Sequence, residues 1–169
     1  YKFTSVMGVD DGGSVINSNN GTWIAQFGKT INVTDFGAKA VTDYDNANHF
    51  AKVISFLQVN EGLELIVKSK ENVHFETSST FNLPIKTDLV MDNAMVFSNG
   101  DSEMGLVIGD EDNYNFNRKL IIRVYKKTLS DWEDKNNIGV LIWNLYESTN
   151  VHIIRSERFT VGVKFNAKT

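Results

Sequence analysis

The sequence predicts an all-β solenoid with one helix near its front. After Gly62 the apolar runs are short, rich in β-branched residues and bounded by polar turns. They are "LELIV", "NVHF", "DLVM", "AMVF", "GLVIG", "KLIIRV", "GVLIW", "NVHII" and "VGVKF", each of strand length and strand composition. Three of these runs share one pattern of apolar, Gly, apolar, any, apolar: Met104 to Ile108, Ile138 to Ile142 and Val161 to Phe165. Gly139 and Gly162 lie 23 positions apart, and Gly105 and Gly139 lie 34 apart. A second strand type, "KLIIRV" and "NVHII", falls between the copies. Two strand types that return after one unit length, with insertions between them, are the signature of stacked repeats.

Taken in order, residues 1–29 read as a small β head. Two short strands flank a turn at Asn19, Asn20 and Gly21, where Asn and Gly tolerate left-handed backbone. Trp23 and Phe27 need burial that so short a piece does not supply. Residues 30–61 hold an entry strand and a helix. Ile31, Val33 and Phe36 give a strand ending at Gly37, and Thr42, Asp43 and Asp45 supply helix-start chemistry. Ala47, Phe50, Ala51, Ile54 and Leu57 then recur at helical spacing, Val53 and Phe56 widen the stripe, and Gly62 is the expected stop. Residues 62–169 are the repeated strands, with no stop pattern before "VGVKFNAKT". That predicts the first part of a longer stack, or an end covered by symmetric subunits.

Composition narrows the function. The chain has 169 residues, 41% hydrophobic and 22% charged, with a net charge of -4. Those values fit one folded domain and argue against disorder. The acidic balance and scattered basic residues give no footprint for nucleic acid, and no apolar run is long enough to span a membrane. The absence of cysteine excludes disulfides, thiolate metal sites and a cysteine nucleophile.

The stretch "INVTDFGAKAVTDYDNANHFAKVI", residues 31–54, resembles the entry of pectate-lyase-like right-handed parallel β-helices, as found in phage and prophage tailspikes. The residues that match are Val33, Asp35, Phe36, Gly37, Ala38, Val41, Thr42, Asp43 and Asp45. The family's Gly-Asp-Gly turn is replaced by "KAV". The resemblance implies a right-handed parallel β-helix whose N-terminal end is capped by the helix. The capping residues would be Phe36, Gly37, Asp43, Asp45, Phe50 and Ile54. It also implies a homotrimer on a phage tail or baseplate, located on the virion and acting at the bacterial surface. The whole protein would bind, and often cleave, bacterial surface polysaccharide by glycoside hydrolysis or β-elimination. This part of it would serve mainly for capping, trimerisation and attachment. Two rivals are an autonomous secreted lyase or hydrolase and a non-enzymatic virion adaptor.

No catalytic residue is assigned by sequence. Glycoside hydrolysis needs two carboxyl groups at a set separation. The acidic clusters Asp101/Glu103, Asp110/Glu111/Asp112 and Asp131/Glu133/Asp134 all fall in polar stretches and read as solvated loop charge. Trp132 between Asp131 and Glu133 is the carbohydrate-binding candidate, a ring to stack on a sugar with carboxylates for its hydroxyls. "GDEDNYN" has alternating oxygen ligands but lacks the glycine and closing glutamate of a calcium loop. His49, His74 and His152 are far apart, and no metal site or cofactor is expected. Arg155 and Arg158 flank a strand and are candidates to face a groove.

Overall fold

The computed structural model describes residues 2–5, 15–24, 27–70, 73–99, 103–128, 136–145 and 149–167. Its strands fall into three sheets. Strands β1 (Lys2–Thr4), β2 (Val15–Ser18) and β3 (Gly21–Ile24) form an antiparallel head in the order β1-β3-β2, with the turn where the sequence places it. A four-stranded parallel sheet has the order β14-β12-β10-β7, from β7 (Phe81–Leu83), β10 (Leu106–Ile108), β12 (Ile138–Trp143) and β14 (Val161–Asn166). The largest sheet has seven parallel strands in the order β4-β5-β8-β11-β9-β6, with β13 on β11. Its members are β4 (Thr30–Asn32), β5 (Glu64–Val67), β6 (Phe75–Thr77), β8 (Asp88–Met91), β9 (Met95–Phe97), β11 (Lys119–Lys126) and β13 (Asn150–Glu157).

This arrangement corrects the expected all-β right-handed parallel β-helix with a capping helix. The described residues form a mixed fold: an antiparallel sheet, two separate parallel sheets and one α-helix, α1 (Ala47–Val59). Two physical features make the difference. The eight-residue β11 pairs with β8 through Leu120 and Ile121 and with β9 through Val124 to Lys126, which joins two short strands of the preceding segment into one sheet. The apolar stripe of the helix is also part of the core. Phe50, Val53 and Leu57 belong to the same buried cluster as Leu65, Leu89 and Ile122 of one parallel sheet and Phe81, Leu106 and Val140 of the other.

Two local expectations also change. Val33–Phe36 is a 3-10 turn and not the end of a strand. The Asn32 side chain accepts from Thr34 N while Asp35 Oδ2 accepts from Asn32 N at 2.8 Å, a capping box that favours the turn over extension. Gly37 ends it at φ +87, and a side chain there would meet the His49 ring at 2.9 Å. The helix begins at Ala47, and of the three start residues the sequence offers Asp45 is the one that bonds its first turn, its Oδ1 accepting from Ala47 N at 2.9 Å. It stops at Asn60, ahead of Gly62: Asn60 N bonds Leu57 O, and Asn60 Nδ2 bonds Phe56 O at 2.8 Å.

The three glycine-containing runs become direct neighbours. Leu106 faces Val140 in register, and Val140 faces Val163. Gly105 and Gly139 lie under the Phe159 ring, and Ser156 Oγ closes over Gly139. A Cβ at Gly139 would collide with Ser156 Oγ and would sit 2.7 Å from Phe159 Cδ2 and 2.8 Å from Gly162 O, the last being backbone. Gly139→Ala is therefore expected to lower stability by about 1–3 kcal/mol, read as a fall in the urea midpoint. Gly28→Ala, where nothing lies within 4 Å, should leave the midpoint nearly unchanged.

Candidate functional site: a polar face on the seven-stranded sheet

Along β6 and β11 the side chains alternate between core and outer face, as strands require. Phe75, Thr77, Met95, Phe97, Val124 and Lys126 are buried. One outward row runs across the sheet in register, from Glu76 through Val96 and Tyr125 to Glu157. The Tyr125 ring lies at its centre. His74 meets it edge-on at 5.3 Å between centroids and 85°. The Arg155 guanidinium lies over its face at 4.5 Å and is fixed by a 2.7 Å ion pair from Nε to Glu157 Oε2.

A second group closes the Glu76 end. Lys127 Nζ donates to Asp43 Oδ1 and, at 2.7 Å, to Glu76 Oε2. Asp43 N donates to Glu76 Oε1 at 3.1 Å from a backbone at φ +58. Arg158 donates to Lys127 O at 3.0 Å. Asp45 forms a bridge with Glu76 and accepts from Ser78 N at 3.0 Å and Ser78 Oγ at 2.5 Å. The acidic residues that read from sequence as helix-start chemistry therefore also tie the segment before α1 to β6 and to the end of β11.

Hydrogen bonds and ion pairs favour the charged forms of Asp45, Glu157 and Lys127 on this face. Burial raises the Asp45 pKa, but the bonds from Ser78 and Ala47 outweigh it and hold the group below the ordinary carboxylate range. Glu157 is held down by its bond from Arg155. Lys127 is pushed above the ordinary lysine value by its bonds to Asp43 and Glu76. Burial, helped by Arg155, lowers the His74 pKa, which keeps Nδ1 free to accept from Ala94 N at 3.4 Å. Burial raises the Tyr125 pKa, so its hydroxyl stays protonated. A glycosidic general acid needs a carboxyl held protonated, and Asp45 and Glu157 move the other way.

The sequence-derived candidates fare differently. Trp132, Asp131 and Glu133 lie outside the described residues. Phe36 is buried, stacked on Phe27 at 5.8 Å and tilted against Phe56 at 5.3 Å. Phe50 is buried edge-on to Phe81 at 5.2 Å, and Ile54 is partly buried against the same core. Trp23 remains 44% exposed, tilted against Phe3 at 5.1 Å. His49 is structural, with Nε2 bonded to Tyr44 Oη and Nδ1 to Phe36 O, each at 2.9 Å. Asp110 folds its carboxylate back onto Asp112 N and Asn113 N at 2.9 and 2.8 Å, a local turn. Among the described residues no three acidic or histidine side chains converge on a metal position. Arg155 and Arg158 do share a surface. Glu76, Tyr125 and Lys127 went unrecognised in the sequence, because only the strand register brings residues 51 positions apart into one bond.

Comparison with protein-family models, with curated proteins and with solved structures returned no match.

Proposed function

We propose that this chain is a non-catalytic saccharide-recognition segment of a tailspike-like receptor-binding protein. It would be displayed on a phage virion and would act as a homotrimer at the bacterial surface. The observation that carries the recognition reading is the outward row of the seven-stranded sheet. Tyr125 offers an aromatic ring, and Arg155, Glu157 and His74 offer donors and acceptors held in place around it. A pyranose presents an apolar C–H face and a rim of hydroxyls. An amphipathic ring with fixed polar neighbours meets both. The tailspike assignment is supported by the sequence resemblance across residues 31–54.

Tyr125→Ala is expected to weaken binding of a purified capsular polysaccharide at least about tenfold, roughly 1.4 kcal/mol, in a titration that follows the intact chain. Incubation with the same polysaccharide should release no reducing ends and no unsaturated product. Light scattering should return three times the chain mass. Unchanged binding by Tyr125→Ala would remove this face from the function, and turnover by the chain would overturn the non-catalytic reading.

A further inference from the structure

The antiparallel head carries a reactive pair of residues at its tip. β2 ends at Ser18, β3 begins at Gly21, and these two pair across a turn made of Asn19 and Asn20. Asn20 is exposed, and its carboxamide makes no hydrogen bond among the described residues. Gly21 follows at φ +151, where a Cβ would collide with Thr4 O and would lie 2.7 Å from Phe3 Cζ. The fold therefore demands glycine at the position where a missing Cβ also leaves the backbone nitrogen open to the preceding carboxamide.

The chain contains a second Asn-Gly pair, Asn99 and Gly100, and its asparagine sits in another environment. Asn99 is 8% exposed, and its Nδ2 donates to Met104 O at 2.8 Å. Before its Cγ can meet the next backbone nitrogen, that bond must break and the side chain must turn against packed neighbours.

We propose that Asn20 is a site of self-modification, at which the chain deamidates through a cyclic imide, while burial and the bond to Met104 hold Asn99 from the same reaction. The Gly21 nitrogen gives its proton to solvent and attacks Cγ of Asn20. The new N–Cγ bond closes a five-membered imide, the Cγ–Nδ2 bond breaks, and Nδ2 takes up a proton and leaves as ammonia. Water then adds to one imide carbonyl. Opening at Cγ gives aspartate, and opening at the main-chain carbonyl gives isoaspartate, with the chain now running through Cγ. The second product puts one more carbon into the main chain between Ser18 and Gly21, the pair that closes the hairpin, so β2 and β3 lose their register at the tip.

The test incubates the whole chain in mildly alkaline buffer and follows both sites by mass spectrometry of proteolytic peptides. In the folded chain Asn20 is expected to convert at least about tenfold faster than Asn99, the effect of a lost hydrogen bond and lost burial on the slower site. Unfolded in urea, the two pairs should convert within about twofold of each other. Asn20→Ser should abolish deamidation in the peptide that spans the turn. In the purified isoaspartyl form the amides of β2 and β3 are expected to exchange with solvent at least about tenfold faster than in the parent. Asn20→Asp, which adds the charge without the carbon, should leave that exchange within about twofold of the parent. The proposal is overturned if Asn20 converts no faster than Asn99 in the folded chain, if the tenfold difference persists in urea, if Asn20→Ser leaves the deamidation in place, or if the isoaspartyl form exchanges like the parent.

Discussion

Phe50→Ala is expected to destabilise the chain by about 3–5 kcal/mol, the usual cost of removing a fully buried aromatic ring. Phe50 is 3% exposed and packs at the junction of the helix with both parallel sheets, edge-on to Phe81 of β7 and tilted against Phe75 of β6 at 6.4 Å. Neighbouring side chains are anchored by strand pairing on two sides, so the cavity has little freedom to collapse. Phe50→Asp should prevent folding, because it adds an unpaired charge to the lost volume. Ile54→Asp is the internal comparison. Ile54 is only partly buried against the core, so a charge there can reach water, and the loss should be smaller. Urea denaturation of the three variants measures the order. Equal midpoints for Phe50→Ala and the parent chain would mean that the helix is not part of the core.

Asn46→Ala is expected to cost about 2–5 kcal/mol through hydrogen bonds alone. Asn46 is fully buried. Its Oδ1 accepts from Lys39 N at 2.7 Å, and its Nδ2 donates to Lys39 O, Tyr44 O and Glu76 O at 3.0, 3.2 and 3.0 Å. Its own backbone N donates to Glu76 O at 2.9 Å. One carboxamide thus holds the segment before α1 against itself and against β6, and removing it strands several partly buried backbone groups, each costing about 1–3 kcal/mol. Asn46→Asp gives a signature that packing loss would not. It keeps the acceptor for Lys39 N but turns an oxygen toward three carbonyls, which favours the protonated acid in the folded state. The folded pKa then lies above the unfolded value of about 3.9. The variant's stability is fully present below that unfolded value and is lost as pH rises through the folded one. A urea midpoint that falls from about pH 4 toward pH 7 in Asn46→Asp, but not in Asn46→Ala, is the expected result.

The shared Gly pattern of three apolar runs correctly marked strands that pair, and at Gly105 and Gly139 a neighbouring strand and the Phe159 ring approach too closely for a side chain. The sheet arrangement was less accessible. Periodicity says which face of a strand is buried. It does not say that β11 is long enough to unite β8 and β9 in one sheet, or that Phe50 of the helix will meet Phe81 of one parallel sheet and Phe75 of the other. Helix limits were also local competitions. Asp45, one of the start residues named from sequence, accepts from Ala47 N, and it and Asn46 are also bonded to Ser78 and to Glu76 of β6, contacts that the local stretch does not reveal. The polar face was the least legible part, since His74 and Glu76, Tyr125, and Arg155 sit on three separate segments of the chain, and nothing in the spacing between those segments links them.

By itself the sequence determined the strand-rich composition, the single amphipathic helix and its buried stripe, the turn at Asn19 to Gly21 and the stacking of the glycine-containing strands. These follow from local preference and from the period of hydrophobicity, both properties of contiguous residues. The tertiary structure alone decided the division into one antiparallel and two parallel sheets, the meeting of Phe50 with a strand of each parallel sheet and the Tyr125 row. Each of these depends on contacts between residues tens of positions apart. Their geometry is fixed by strand register, which no local stretch of the chain encodes.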